Sequence, residues 1–311
     1  MNRTELLDAI DQKYRAMGQD PDVHLSGLLH AEPITYWDYI QVDALLGLQI
    51  KRTQLPDEMV FIMYHQINEL LFKMILWEMG QLSEPGTLSA AKFSMHLNRI
   101  SRYFDMLAES FHIMGDGMEP EQYMKFRDTL TPASGFQSAQ YRKIEFGSTE
   151  LVNLVDQRFR HELHLEAPMD EVFELLYWQA AGKDHATGAK NALLRNFEQR
   201  YKAEFLDFMQ EYRERNLWTL FRALPEEVRN DAGLRNAMRH YDHTVNIRWV
   251  MAHYHAAGKY IGSGAATGGS PWQRYMHPRY QKRIFFPGLW SETERERWGE
   301  DNLEGYHKLE A

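Results

Sequence analysis

Hydrophobic residues recur along this chain at spacings of three and four, the period of an amphipathic helix. The clearest run begins at Pro56-Asp57-Glu58, and its acidic first turn suits the helix dipole. The same pattern predicts helices over residues 3–17, 36–47, 56–79, 88–114, 120–130, 137–146, 170–182, 189–215 and 233–261. We find no convincing alternation of the kind that strands require and no repeat at a fixed period. The pattern predicts an all-α fold.

Breaks rich in glycine and proline separate these helices, but none of them has the composition of a linker between two folded halves. The one low-complexity stretch, residues 262–270, is typical of a functional loop or a flexible connection. We therefore expect one helical-bundle domain over residues 34–290. An N-terminal helical arm (1–33) would precede it, and a C-terminal tail (291–311) would follow it.

Composition narrows the classes of function. With 311 residues, 44% of them hydrophobic, the chain is large enough to bury a substantial core. Its net charge of −9 argues against a general nucleic-acid surface. It has no cysteine, which excludes disulfides, thiolate metal sites and a thiolate-ligated haem, so an iron–porphyrin would need His, Met or Tyr. The N-terminus lacks a signal sequence and the most apolar stretch (59–77) carries polar residues, so we expect a soluble, cytoplasmic protein without a membrane partner.

The first candidate site residues lie in the helix that begins near residue 56. Phe61, His65 and Glu69 are each four residues apart and therefore share a helix face, with Phe72 about one turn further on. An imidazole among aromatic rings suits a group that hydrogen-bonds a flat ligand. A buried core histidine with satisfied hydrogen bonds would give the same pattern.

Two further candidates follow in the next part of the chain. Tyr123 and Arg127 are four residues apart on a predicted helix, and an Arg beside a phenol suits a substrate carboxylate. An exposed Arg on an amphipathic helix is the simpler alternative. Ser134-Gly135 forms a turn before the next helix, where free backbone N–H groups can meet an anion or merely be capped.

The last long helix contains several histidines. Ala256 and Ala257 lie one turn after His253 and leave room for a broad planar group, as haem ligation by His requires. His255 lies roughly 200° away around the same helix, so His253 and His255 cannot serve one metal.

His240 and His243 are spaced to chelate a metal, but no acidic companion motif accompanies them. In the loop after the helix, Thr267 could hydrogen-bond a ligand if the loop closes over it. A disordered connection is the alternative for that loop.

Taken together and in this order, these residues resemble the tryptophan 2,3-dioxygenase family. Six segments carry the resemblance: 34–46 (ITYWDYIQVDALL), 57–70 (DEMVFIMYHQINEL), 123–128 (YMKFRD), 134–142 (SGFQSAQYR), 248–253 (RWVMAH) and 267–270 (TGGS). Residues 148–232 add little to it. Two positions depart from the family pattern: Pro271-Trp272 stands where Ser-Gly is common, and Trp249 stands where an Arg is usual.

The resemblance implies a role for each candidate. His253 would be the proximal ligand of haem b, with one haem per subunit, and His65 the distal histidine that hydrogen-bonds the indole N–H. Phe61 would line the indole pocket. Tyr123 and Arg127 would hold the carboxylate.

The remaining roles concern the ends of the substrate and a neighbouring subunit. Thr267 would meet the amino and carboxylate ends, while Ser134 and Gly135 would line the distal side. An N-terminal stretch would reach the neighbouring subunit's site in a homotetramer, and its residues are Tyr36, Tyr39 and Ile40.

The implied reaction opens the C2–C3 bond of the indole ring of L-tryptophan with O₂ and gives N-formyl-L-kynurenine, the first product of the kynurenine pathway of tryptophan catabolism. We expect His65 to orient the substrate more than to act as a base, since an indole N–H is a very weak acid. Two alternatives stay open, a haem-dependent hydroxylase of a tryptophan or tyrosine derivative and a non-catalytic haem-binding sensor. An all-α oligomeric scaffold is the least favoured.

Overall fold

Helices account for nearly all of the regular structure. The structure is a computed structural model that describes residues 1–84, 86, 89–130, 137–161, 167–184, 187–261, 273 and 276–300. Within these residues the only β-type pairings are two isolated bridges, Val155–Leu176 and Lys183–Lys190. The predicted all-α fold is confirmed. None of the helices in the described ranges is long and apolar enough to cross a membrane.

Residues Met1–Gln49 form a compact unit of their own. It contains α1 (Arg3–Ala16), α2 (Pro21–Leu28), α3 (Tyr36–Ile40) and α4 (Val42–Leu46). The one helix predicted over residues 36–47 is divided at Gln41, whose φ of 54° places it in the left-handed region. A residue in that conformation cannot continue a right-handed helix, so α3 and α4 are separate turns.

Residues Ile50–Ala311 form the second unit. Its described helices are α5 (Asp57–Ser83), α6 (Ala90–Glu109), α7 (Phe111–Gly115), α8 (Pro120–Leu130), α9 (Ala139–Ser148), α10 (Met169–Glu174), α11 (Ala192–Tyr212), α12 (Leu217–Ala223), α13 (Glu226–Arg229), α14 (Ala232–His243), α15 (Trp249–Ile261), α16 (Pro278–Gln281) and α17 (Glu292–Glu296). Short 3₁₀ turns lie at Leu151–Leu154, Tyr177–Gly182 and Pro287–Leu289. The core of this unit is built mainly by α5, α6, α9, α11, α12 and α14.

The start of α5 is fixed by a buried carboxylate. Glu58 accepts hydrogen bonds from the backbone N–H groups of Arg52 (2.8 Å) and Thr53 (2.7 Å) and from the Thr53 hydroxyl (2.7 Å). Burial alone would raise the pKa of Glu58, but these hydrogen bonds outweigh it and lower that pKa. The first turn of the helix is thereby tied to the segment that precedes it.

The helix predicted over residues 233–261 is interrupted by a π-helical turn, Thr244–Arg248, between α14 and α15. Within it, Asn246 Nδ2 donates to Asp242 Oδ1 at 2.8 Å. Asp242 also accepts three N–H groups from the C-terminal segment, at 2.9 to 3.0 Å: Phe285 N, Phe286 N and Trp290 Nε1. One buried carboxylate therefore joins the π turn to residues 285–290.

A second buried cluster lies between α9 and the C-terminal segment. The carboxylate of Glu145 accepts hydrogen bonds from Arg142 (2.7 Å), Tyr177 (2.5 Å) and Arg283 (2.5 Å). Two buried guanidinium groups thus share one carboxylate. Arg283 also donates to the hydroxyl of Tyr141 at 3.0 Å, which brings this cluster close to α15.

Candidate functional site

His65 is held in one tautomer by its own helix. Its Nδ1 lies 2.8 Å from the carbonyl oxygen of Phe61, one turn earlier on α5. A carbonyl can only accept, so Nδ1 carries the proton and Nε2 of the neutral ring keeps its lone pair. The ring packs against Phe61 at 4.1 Å and against Tyr64 at 5.2 Å between ring centroids.

The surroundings of His65 keep its imidazole neutral. Its side chain is exposed to solvent. Burial nevertheless lowers its pKa, against smaller opposing effects of the Phe61 carbonyl and the Glu69 carboxylate. We use the word recess for the region around His65 that Phe61, Tyr64 and the residues described below border. At neutral pH the recess therefore presents a hydrogen-bond acceptor at Nε2.

His253 on α15 lies in the same recess. Its ring stacks on Phe111 of α7, with centroids 5.1 Å apart and planes 14° from parallel, and Trp249 lies 6.4 Å away. Burial, with a smaller effect of the nearby His65, lowers the pKa of His253 to about 4. The Phe111 ring also lies 6.0 Å from that of Tyr64, which packs against His65, so the two imidazoles lie near each other. Both are neutral at physiological pH, as a metal-ligating imidazole must be.

Small residues lie where α7 packs closely against α15 near His253. Gly115 at the end of α7 is buried, and a Cβ built on it would lie 3.8 Å from the Cβ of Ala256. Ala256 and Ala257 are half-buried, so this side of α15 carries little bulk beside His253. His255 is exposed on another side of the helix, as its position in the sequence predicts.

Tyr123 and Arg127 border the recess from α8. The positive charge of Arg127 acts on the hydroxyl of Tyr123 and opposes the rise of its pKa, so the spacing of four residues does bring the two side chains near each other. The ring of Tyr123 lies 6.2 Å from that of Phe61 and 4.6 Å from that of Tyr260. Burial raises the pKa of Tyr123, which keeps its hydroxyl protonated and able to donate.

The position of α8 against α5 is fixed at the start of both helices. Asp57 Oδ2 accepts the backbone N–H of Glu119 at 2.7 Å, and the backbone N–H of Asp57 donates to Gln122 Oε1 at 3.2 Å. The pair on α8 is therefore held at a set distance from Phe61 and His65 on α5.

Two residues of the recess escaped the sequence analysis. Tyr260 donates its hydroxyl hydrogen to the carbonyl of Met114, and it lies seven residues after His253, on the same face of α15. Helical spacing from His253 would have found it. Phe111, which stacks on His253, carries no comparable signal. Phe111 and Tyr260 both pack against a buried hydrophobic cluster, which consists of Tyr64, Met114, Met118 and Phe126.

Trp249 occupies the position where the family usually has an Arg. Its ring packs against Tyr141 at 4.7 Å, against Phe72 and Phe104 at 6.0 Å each, and against Phe111 at 6.4 Å. The aromatic core thus continues up to the recess at this point. Phe72, expected on the same face as His65, instead lies buried in this core.

Several predicted residues lie elsewhere. Ser134, Gly135 and Thr267, together with Pro271-Trp272, fall outside the described residues. Tyr36, Tyr39 and Ile40 belong to the N-terminal unit, where their side chains are 73%, 76% and 41% exposed. The structure therefore does not test the roles given to these residues.

His240 and His243 are not part of a metal-ligand cluster in the described ranges, where no three His, Asp or Glu side chains converge on one point. His240 lies 3.9 Å from Asp105, which also accepts a hydrogen bond from Arg248 at 2.6 Å. This surface ion pair holds the end of the π turn against α6.

The fold and the site define an all-α protein in which two neutral imidazoles lie near a Tyr–Arg pair. Residues 26–232 match the family model described as tryptophan 2,3-dioxygenase. The match covers more than half of the chain and includes residues 148–232, where the motifs showed little likeness. The chain belongs to the tryptophan 2,3-dioxygenase family.

Individual relatives agree with the family model. A tryptophan 2,3-dioxygenase of Bacillus thuringiensis subsp. konkukian is 29% identical over 273 residues, which is 84% of this chain and 92% of the relative. One of Ruegeria sp. is 30% identical over 278 residues, with the same coverage. One of Myxococcus xanthus is 36% identical over 145 residues, 45% of this chain and 49% of the relative.

Proposed function

We propose that this protein is a haem-dependent dioxygenase that cleaves the indole C2–C3 bond of L-tryptophan with O₂ to give N-formyl-L-kynurenine. Membership of the family supports an oxidoreductase of the dioxygenase class acting on tryptophan. The observation that carries the proposal is the closeness of His65 and His253, two neutral imidazoles linked through the packed rings of Tyr64 and Phe111.

The residues of the recess fit a haem b. His253 has a neutral ring with no hydrogen-bond partner among the described residues, and Phe111 fixes its plane. The side chains of Ala256 and Ala257, one turn after His253 on α15, are small and half-buried. Haem held there by His253 supplies the iron chemistry that activates O₂. One haem per subunit is proposed, since the described residues form one such recess.

The chain's own groups would place the substrate. Nε2 of His65 accepts the indole N–H, since Nδ1 is already committed to the Phe61 carbonyl. The aromatic ring of Phe61 packs against the indole, and Arg127, braced by Tyr123, holds the carboxylate. Thr267, Ser134 and Gly135 are proposed to complete the contacts, as the family resemblance implies.

We also propose a homotetramer. Five large apolar side chains of α5 are exposed and spaced four, three, four and three residues apart: Met63 (39%), Ile67 (46%), Leu70 (47%), Met74 (43%) and Trp77 (72%). This spacing is the seam that a partner helix covers in a coiled coil. The seam faces away from His65 on the same helix. It supports self-association, and the exposure of Tyr36 and Tyr39 supports their proposed role in a neighbouring subunit's site.

Four predictions made from the sequence remain proposals. They are the arm over residues 1–33, the domain over 34–290, the tail over 291–311 and the cytoplasmic location.

The test is anaerobic reconstitution with haem and a reductant, followed by L-tryptophan and air, with the product identified by mass. A tryptophan-dependent product that gains both atoms of O₂ supports the proposal. A product with one added oxygen favours the hydroxylase, and haem bound without turnover favours the sensor. Failure of the wild-type protein to bind haem would contradict the role of His253.

A further inference from the structure

A cavity of about 540 Å³ lies apart from the recess, between residues 153–160 and residues 282–295. Three cationic side chains line it, Arg160, Lys282 and Arg295, and none of its described lining residues is acidic. The protein as a whole carries a net charge of −9. Three cations around one space in an acidic molecule form a local positive site that an anion would stabilise.

Arg160 is the most enclosed of the three cations. Its Nε and Nη2 donate to the carbonyl oxygens of Val155 (2.8 Å) and Asn153 (2.9 Å). No carboxylate forms an ion pair with it within the described residues, and burial lowers its pKa despite the attraction of Asp156. Its guanidinium is thus oriented by neutral carbonyls, and its positive charge is incompletely compensated.

Lys282 reaches the cavity from a strained backbone. Its φ is 41°, in the left-handed region that side chains other than Gly, Asn and Asp rarely adopt. Its ammonium group donates to the Glu296 carbonyl at 2.8 Å, which is again a neutral partner. Strain of this kind is often kept where a side chain must meet a ligand.

The remaining lining suits a small organic molecule. Arg295 is exposed and has no side-chain hydrogen bond or ion pair in the described part of the chain. Asn153 and Gln157 add carboxamides, while Ile284 and Pro287 provide an apolar wall. The volume lies within the range of small-molecule sites, which combine apolar walls with a few convergent polar groups.

We propose that this cavity binds a small organic polyanion that carries phosphate or carboxylate groups, with Arg160, Lys282 and Arg295 as its cationic contacts. The site is separate from the recess of His65 and His253, and nothing in this proposal depends on haem or tryptophan. Its ligand would bring at least two negative charges, because three cations must be balanced.

The experiment is isothermal titration calorimetry of the full-length protein in low-salt buffer. Three probes are titrated separately: pyrophosphate, citrate and inorganic phosphate. We expect saturable binding of one equivalent of pyrophosphate or citrate. Which of the two binds tighter tells whether phosphate or carboxylate groups are preferred. Arg295→Gln should weaken binding about tenfold, since a charge-assisted hydrogen bond is lost.

Lys282→Gly is the second variant, because glycine adopts a positive φ without strain. It should lose affinity while keeping or raising the melting temperature, so weak binding cannot be ascribed to unfolding. The matched control is Arg297→Gln, which removes an exposed cation that pairs with Glu300 and does not line the cavity. Absence of saturable binding to the wild type, or equal losses in Arg297→Gln and the two test variants, would overturn the proposal.

Discussion

The Nδ1–H of His65 donates to the carbonyl oxygen of Phe61 at 2.8 Å, and this leaves Nε2 as the ring nitrogen that can meet a ligand. Nε2 can only accept in the neutral ring, so it matches an indole N–H and not an indole acceptor. We expect His65→Ala to lower kcat/KM for L-tryptophan about tenfold through the loss of one hydrogen bond. Steady-state kinetics of the haem-loaded enzyme measures this.

A substrate analogue makes that prediction specific. With 1-methyltryptophan, which has no ring N–H, the wild type should lose activity, while His65→Ala should distinguish the two substrates far less. His255→Ala is the matched control, because His255 is exposed on another side of α15. Equal discrimination by wild type and His65→Ala would contradict the assignment.

Arg127 is predicted to recognise the carboxylate of the substrate. Arg127→Lys keeps the charge but not the planar fork, and it should raise KM for L-tryptophan roughly 10- to 100-fold with a smaller change in kcat. Binding of tryptamine, which lacks the carboxylate, should hardly change. Lys125→Gln on the same helix is the control, since Lys125 pairs with Glu121 at the surface. An equal loss of affinity for both ligands would argue for a structural role.

Asp242 should make the stability of the protein depend on pH. Burial raises its pKa to about 6, against the hydrogen bonds from Phe285, Phe286, Trp290 and Asn246. The folded protein then keeps a proton that the unfolded chain, with an ordinary pKa of 3.8, releases between about pH 4 and pH 6. Ionisation therefore costs stability, which should fall as the pH rises through this window.

Urea unfolding of wild type and Asp242→Asn across pH 4 to 7 checks this. The variant replaces an oxygen that accepts two buried N–H groups, so two donors lose their acceptor. It should be less stable by about 2–6 kcal/mol, roughly 1–3 kcal/mol for each donor. The advantage of the wild type should be largest near pH 4 and shrink by up to about 3 kcal/mol toward pH 7. An advantage that grows with pH would mean that the four hydrogen bonds outweigh burial.

The exposed seam of α5 is predicted to lie between subunits. Leu70→Glu combined with Trp77→Glu should convert the assembly into smaller species, because two carboxylates would have to be buried in the interface. Light scattering after size exclusion measures the mass. Met106→Glu on α6 is the control, since Met106 is 57% exposed but outside the seam. An unchanged mass for the double variant would exclude the seam as an interface.

The bounds of some helices followed directly from the sequence. The helix predicted over 120–130 is α8 (Pro120–Leu130), because Pro120 suits the first turn of a helix. The end of α5 was missed: the predicted helix stops at residue 79, but the helix continues to Ser83, and Leu82 in this extra turn is fully buried. The helix predicted over 88–114 breaks at Ser110, whose hydroxyl donates to the Leu107 carbonyl at 2.8 Å and competes with the backbone pattern.

The contacts of the candidate site also fall into those that the sequence predicts and those that it does not. The pairing of Tyr123 with Arg127 depends on local spacing, so the sequence predicts it. The meeting of His65 with His253 depends on the packing of α5 and α15 in three dimensions, and periodicity within each helix carries no information about it. The family resemblance supplied that expectation.

The π turn at Thr244–Arg248 makes the chain sensitive to length at this point. A change of one residue in an α-helix rotates everything beyond it by roughly 100°. Deleting Asn246 would restore ordinary helical phase and turn His253 away from Phe111, even though every side chain of the recess is still present. Relatives should therefore accept exchanges of residue type in this turn more readily than insertions or deletions.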